Sequence, residues 1–256
     1  MAEATDAFGR ALADWARGGT DPEILERDDG HTEVGAGHEL YVAGPECWPG
    51  AERRSLRYAR GRVIDLGCGA GRVALHLQRR GLDVVAADAS PLAVRTTRAR
   101  GVREVRRLSA GGLTDELASF DTVVLFGNNF GLFGTPGSLR RTLAVWARRA
   151  RPGTRILAES TSPFGGGVPA LSAEYIRRNR RRDKMAGQIR LRVHYRRWTG
   201  PWFGWLFVSP AQMRKLLRGT GWRPMRLEEG DRGDPYVAVL ERTDDGGRTS
   251  PRRSPP

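Results

Sequence analysis

Lysine is nearly missing from this chain of 256 residues. Of its 43 basic residues, only Lys184 and Lys215 are lysine. So strong a preference for arginine follows the base composition of a genome, so the net charge of +14 is by itself weak ground for a nucleic-acid partner. Cysteine is almost as scarce. Cys47 and Cys68 cannot build a disulfide framework, which suits a reducing cytoplasm. No apolar run reaches the length of a membrane span, and the acidic, amphipathic N-terminus does not read as a signal peptide. The four histidines and two cysteines lack metal-ligand spacing, so no metal site is expected. No internal repeat is present. The length corresponds to one domain with additions.

What the chain does have is a glycine-rich stretch, Val63-Ile64-Asp65-Leu66-Gly67-Cys68-Gly69-Ala70-Gly71-Arg72. A short apolar run breaks into alternating glycines, and Val73, Ala74, Leu75 and Leu77 then mark the inner face of a helix. Glycine lets a backbone turn tightly and lie close against a ligand, and a helix N-terminus offers free N–H groups beyond it. The dinucleotide fingerprint G-x-G-x-x-G is not met, because Arg72 stands at the third glycine. The phosphate loop G-x-x-x-x-G-K-[ST] is absent. Leu82 to Ala87 then reads as a second strand ending in Asp88, with Ser90-Pro91 opening a helix. Phe120-Asp121-Thr122-Val123-Val124-Leu125-Phe126 reads as a later strand of the same sheet.

The stretch Asp65-Leu66-Gly67-Cys68-Gly69-Ala70-Gly71-Arg72 resembles motif I of the class I S-adenosylmethionine (SAM)-dependent methyltransferases. Asp88 and the Phe-Asp strand fit the same family, and the resemblance covers residues 60 to 160. It implies an α/β, Rossmann-like, doubly wound sheet of seven mostly parallel strands. It implies SAM as cofactor, with S-adenosylhomocysteine as product. Asp65, Gly67, Gly69, Gly71 and Arg72 would form the cofactor loop, Asp88 would bind the ribose hydroxyls, and Ala89 would lie near the adenine. Ser109, beside Ala110, occupies the place where the family often has an acid, so any contact there would run through backbone. Gly127-Asn128-Asn129, after the Phe-Asp strand, would offer amides to the methionine portion or to the acceptor. Gly127 and Asn128 are assigned to cofactor and Asn129 to substrate.

The chain divides into an N-terminal helical segment with a lid loop (1–60), a cofactor-binding core (61–160), a substrate-side insertion with sheet-closing strands (161–242) and a disordered tail (243–256). Residues 29–50 carry five glycines and two prolines, which predicts a long irregular loop. The insertion after the fifth core strand contains a strict alternation. Ile189, Leu191, Val193 and Tyr195 lie on one face, and Arg190, Arg192, His194 and Arg196 on the other. Tyr195, Trp198, Trp202, Phe203, Trp205 and Phe207 crowd there, as a pocket wall or a secondary core.

Methyl transfer needs alignment and, for some acceptors, a base. His194 is a candidate because imidazole is a common general base, and His38 and Tyr41 lie in the entry loop, so these three are the catalytic candidates. Arg192 is the substrate-binding candidate, for an anionic or aromatic acceptor. Residues 161–218 hold 13 basic residues against 2 acidic. That region leaves an RNA methyltransferase as the alternative to a small-molecule enzyme of specialised metabolism. The chain lacks the Asn/Asp-Pro-Pro-Tyr/Phe signature of many base methyltransferases, which disfavours RNA. A non-catalytic SAM-binding protein is the third reading, and nothing in the sequence fixes the oligomeric state.

Overall fold

The computed structural model describes residues 3–113, 116–164, 171–230 and 235–243. Helix α1 (Ala7–Trp15) comes first, and the Asp6 carboxylate caps it by accepting the Gly9 N–H at 2.9 Å. Strands β1 (Ile24–Arg27) and β2 (Thr32–Val34) follow, then helices α2 (Gly37–Val42) and α3 (Gly50–Ser55). Strand and helix then alternate through β3 (Arg62–Leu66), α4 (Arg72–Arg79), β4 (Asp83–Asp88), α5 (Pro91–Ala99) and β5 (Glu104–Arg107). Next come β6 (Thr122–Leu125), α6 (Pro136–Arg149), β7 (Arg155–Ser160) and α7 (Ala173–Arg181). The last elements are β8 (Gln188–Tyr195), β9 (Trp198–Thr199), β10 (Phe203–Leu206), α8 (Pro210–Leu217), β11 (Trp222–Glu228) and β12 (Tyr236–Arg242).

Seven strands form one sheet in the order β11-β12-β7-β6-β3-β4-β5. The five from β7 to β5 are parallel, and β12 runs antiparallel to both of its neighbours. Both faces are covered, which is why its strands are almost wholly apolar. Ile64, Val123 and Leu125 pack with Leu139, Leu143 and Trp146 of α6 on one side. Val63, Val124 and Leu157 pack with Val73, Leu77 and Val94 of α4 and α5 on the other. The strand order reverses between the parallel β3 and β6, and the crevice beyond the carboxyl ends of those strands is where such sheets bind ligands.

A second, antiparallel sheet has the order β10-β8-β1-β2, with β9 paired to β8. It joins the N-terminal segment to the insertion, with Ile24 opposite His194 and Glu26 opposite Arg192. Here the structure departs from the expected irregular loop over 29–50. That stretch contains β2, α2 and a single 3-10 turn at Pro45–Cys47. The reason is partly long-range, because β2 pairs with β1, and β1 in turn pairs with the distant β8. The predicted tail, apart from Thr243, lies outside the described residues.

Helix α1 lies on the glycine loop. A Cβ placed on Gly69 would meet the Leu12 side chain at 3.8 Å. The Asp6 carboxylate accepts the Ser90 hydroxyl proton at 2.5 Å, tying α1 to the start of α5.

Candidate active site

The loop between β3 and α4 turns through three left-handed glycines, Gly67 (φ 77°), Gly69 (φ 57°) and Gly71 (φ 77°). At Gly67 a Cβ would also sit 2.3 Å from the Asn129 amide nitrogen, so only glycine fits there. Asn129 explains the closeness. Its Nδ2 donates to Leu66 O at 3.1 Å and to Gly67 O at 2.9 Å. The residue expected to meet substrate is buried and clamps the loop instead. Asp65 likewise faces inward. Its carboxylate accepts the Ala74 N–H at 3.1 Å, fixing α4 to the strand, and burial pushes its carboxyl up to about 7.

Asp88 ends β4 beside this loop. One carboxylate oxygen accepts the Gly69 N–H at 3.0 Å and the other accepts the Ser90 N–H at 2.9 Å. A carboxylate offers about four lone-pair positions, so each oxygen keeps one for a further donor. That leaves a two-point acceptor suited to vicinal hydroxyls. Burial pushes Asp88 up to about 6, against the opposing pull of the backbone N–H groups. Leu108 N donates to Asp88 O at 3.0 Å, which brings Ser109 and Ala110 alongside, both partly or fully exposed, as is Ala89. Asn128 holds a left-handed backbone (φ 60°) and accepts the Thr161 hydroxyl proton at 2.8 Å. The preceding Gly127 donates its N–H to Glu159 Oε2 at 2.8 Å.

Arg72 does not point outward. Its guanidinium makes a buried two-point pair with Glu52 of α3, at 2.5 and 2.6 Å. Trp48 lies against it, with the guanidinium carbon 4.7 Å from the ring centroid. Glu159, at the end of β7, is hydrogen-bonded to Glu52, and burial with that neighbouring carboxylate pushes its carboxyl well above the usual carboxylate range. Tyr41 projects from α2 toward the same group. Burial raises its hydroxyl's pKa, and Glu23, Glu159 and Glu52 raise it further while Arg72 opposes them. The Tyr41 ring stacks on Trp15 at 5.6 Å, with Phe8 edge-on at 5.2 Å. Both Tyr41 and Trp15 share an apolar cluster with Ala70 of the glycine loop.

The remaining candidates separate. His38 lies on the first turn of α2, partly exposed. Tyr195 points from β8 into the cluster containing Ala70, so Arg192 and His194 face the other way. His194 Nε2 meets Glu26 Oε2 at 2.6 Å and its Nδ1 meets the Thr199 hydroxyl at 3.0 Å. Arg192 makes a two-point pair with the same Glu26, at 2.8 and 3.0 Å, under the Trp202 ring. The structure thus brings Tyr41 to the loop and leaves His194 and Arg192 on the far face of the covering sheet. Glu23, Glu52 and Glu159 were not anticipated. Only Glu159 carried a local signal, as an acid inside the apolar run of a core strand.

The fold and the crevice define a class I SAM-dependent methyltransferase architecture. Residues 63–153 match the family model of the methyltransferase domain. Among solved structures, a SAM-dependent methyltransferase from Bacteroides fragilis in complex with S-adenosyl-L-homocysteine is similar over 95% of this chain and 97% of that one. It shares 24% identity, with a TM-score of 0.77. A SAM-dependent methyltransferase from Methanosarcina mazei (16% identity, TM-score 0.57) covers 73% of this chain and 95% of its own. The CcbJ methyltransferase from Streptomyces caelestis (16% identity, TM-score 0.53) covers 72% and 90%. No curated protein matches the chain.

The residues present fit the cofactor. Asp88 keeps lone pairs for two further donors beside the glycine loop. When bound, SAM supplies an activated methyl group on a sulfonium that is already a good leaving group.

Proposed function

We propose that the chain methylates a small-molecule acceptor rather than RNA. One observation carries this choice. The basic insertion is folded onto the acidic N-terminal segment, where 12 acidic residues face 7 basic ones within residues 1–60. Arg192 pairs with Glu26, Arg196 with Asp14 and Asp21, and Arg178 with Asp28. Arginines engaged in this way are withdrawn from a phosphate track, and the regional charge acts as mortar between two segments of one sheet. That sheet and α1 together form a cover over the glycine loop, walled by Phe8, Trp15 and Tyr41. An aromatic cover of this kind suits a compact acceptor in specialised metabolism.

The chain's own residues then have distinct tasks. Asp88 and the Gly67–Gly71 loop hold the cofactor, and Asn129 with the Arg72–Glu52 pair keep that loop in shape. Tyr41 and the aromatic wall exclude water and orient the acceptor, and such alignment contributes on the order of 7–11 kcal/mol. Both cysteines are free thiols, which fits a cytoplasmic setting. The test is label transfer from methyl-labelled SAM in a mixture of small molecules and purified RNA. Label is expected in the small-molecule fraction. Site-specific methylation of RNA at physiological salt overturns the proposal, and strong salt dependence is its signature.

A further inference from the structure

Glu23 stands just before β1 with a relative exposure of 1%. Its Oε1 accepts the Gly37 N–H at 3.3 Å. Its Oε2 is buried and has no hydrogen-bond partner among the described residues. A buried carboxylate oxygen without a partner is costly, and native folds keep one where a ligand completes it. The chain is wrapped tightly around this group. A Cβ on Gly35 would lie 2.1 Å from Glu23 Oε1, so the 35–37 turn is built to hold the carboxyl in place.

The surroundings say what completes it. Glu23, Glu52, Glu159 and Arg72 all act on the Tyr41 hydroxyl. Arg72 is saturated by its two-point pair with Glu52. Three carboxyl groups thus act on Tyr41, while Arg100, the further cation beside α2, is spent on the Ala70 and Val42 carbonyls. Tyr41, Trp15 and Phe8 add π faces, which attract cations. An anionic acceptor is disfavoured here, and an ammonium is favoured twice over. Glu23 hangs from the cover, whereas the cofactor-holding groups Asp88 and Gly67–Gly71 belong to the core sheet, so Glu23 falls on the acceptor's side.

We infer that the acceptor is an amine, and that Glu23 Oε2 binds its ammonium group and takes its proton while the Tyr41 ring and hydroxyl position it. The inference rests on the small-molecule function proposed above. In balanced form, an N–H proton of the ammonium passes to the Glu23 carboxylate and leaves a nitrogen lone pair. That pair forms the new N–C bond to the methyl group as the S–C bond breaks, with its electrons going to sulfur. The products are the methylated ammonium, S-adenosylhomocysteine and a protonated Glu23, which then releases its proton to solvent. Burial already raises the Glu23 pKa above the ordinary carboxylate value, which brings it closer to that of an amine than an exposed acid would be.

The experiment is calorimetry on the full chain saturated with S-adenosylhomocysteine. The probes are 2-phenylethylamine, 2-phenylethanol and 3-phenylpropanoate, which share an aromatic body and differ in the polar end. The amine is expected to bind at least about tenfold more tightly than the carboxylate. Glu23→Gln should remove that preference, and Tyr41→Phe should weaken amine binding by a few-fold. Thermal melts of both variants check folding, and Glu23→Asp, which keeps the charge, should retain part of the preference. Equal or tighter binding of the carboxylate overturns the inference, and so does an undiminished amine preference in folded Glu23→Gln. A tenfold loss of S-adenosylhomocysteine affinity in Glu23→Gln also overturns it, because Glu23 would then serve the cofactor. Failure of the wild-type chain to bind S-adenosylhomocysteine at all would instead count against the methyltransferase function.

Discussion

The two sheets of this protein are held together by different physics. The central strands of the seven-stranded sheet are apolar on both faces, and the polar groups in and beside them are few and buried: Asp65 on Ala74 N–H, Glu159 on Gly127 N–H, Arg72 of α4 on Glu52 of α3. The covering sheet is apolar on one face only, and its other face is a lattice of half-exposed ion pairs centred on Glu26. One sheet fixes a loop to within hydrogen-bond tolerance. The other brings together two segments of opposite charge that are more than 150 residues apart in the chain. On the function proposed above, the first would hold the cofactor and the second would cover the acceptor.

The sharpest way to break this contrast is Arg72→Met. It leaves Glu52 buried without its cation, next to the buried Glu159 carboxyl. Removing one partner of a buried pair costs about 3–5 kcal/mol. Urea unfolding should show a loss of that size, and a loss well under about 1 kcal/mol would mean that water already reaches the pair. Next in size is Asp88→Ala. Calorimetry should show S-adenosylhomocysteine binding weakened by about 1.5–3 kcal/mol, the scale of hydrogen bonds to a charged group. Unchanged affinity in the folded variant would remove Asp88 from the ribose site.

Asp88 also predicts a pH dependence. Its carboxyl moves from an ordinary 3.8 to about 6 in the folded chain. Between those values the native state keeps a proton that the unfolded state has lost. Stability therefore falls as pH rises through that window, by Asp88's contribution alone. Hydroxyl donors favour the ionised form, so cofactor binding should strengthen over the same range. One unit below that value only about a tenth of the carboxyl is ionised. S-adenosylhomocysteine affinity at pH 5 should thus be about tenfold weaker than at pH 7.5, and Asp88→Asn should flatten the curve. A flat curve in the wild type would show that Asp88 is already ionised at pH 5.

How much of this was legible before the structure follows the same divide. Gly67 to Gly71 and Asp88 could be read because their neighbours along the chain dictate their conformation, and the parallel run of the core strands followed from the alternation of strand and helix. Asn129 could not be separated from Asn128 by sequence, since which of two adjacent amides turns inward depends on a carbonyl at Leu66, 63 residues away. Glu23 and Glu52 gave no signal, because nothing local buries them. Glu23 is covered by the 35–37 turn and Glu52 by Arg72 across a helix–helix contact. The alternation over Ile189–Tyr195 was correct as a strand, yet the pattern alone does not say which face looks at the cofactor.

His194→Ala tests that last point and should have the smallest effect. The alternation makes His194 attractive as a base, since imidazole titrates near neutrality and three arginines share its face. In the structure its neighbour Tyr195 is the residue that reaches the glycine-loop cluster, so the imidazole is directed away from it. Both ring nitrogens are engaged, one by Glu26 and the other by Thr199. Glu26 also keeps its two-point pair with Arg192 when the imidazole is gone, so the strand pairing of β1 with β8 survives. Turnover and cofactor affinity in His194→Ala should both stay within about twofold of wild type. A general base lost from the site would instead lower turnover by about 10²-fold or more with cofactor affinity intact. That outcome would mean that the ion-paired face of the covering sheet, and not the aromatic face, meets the acceptor, and the division of labour between the two sheets would have to be redrawn.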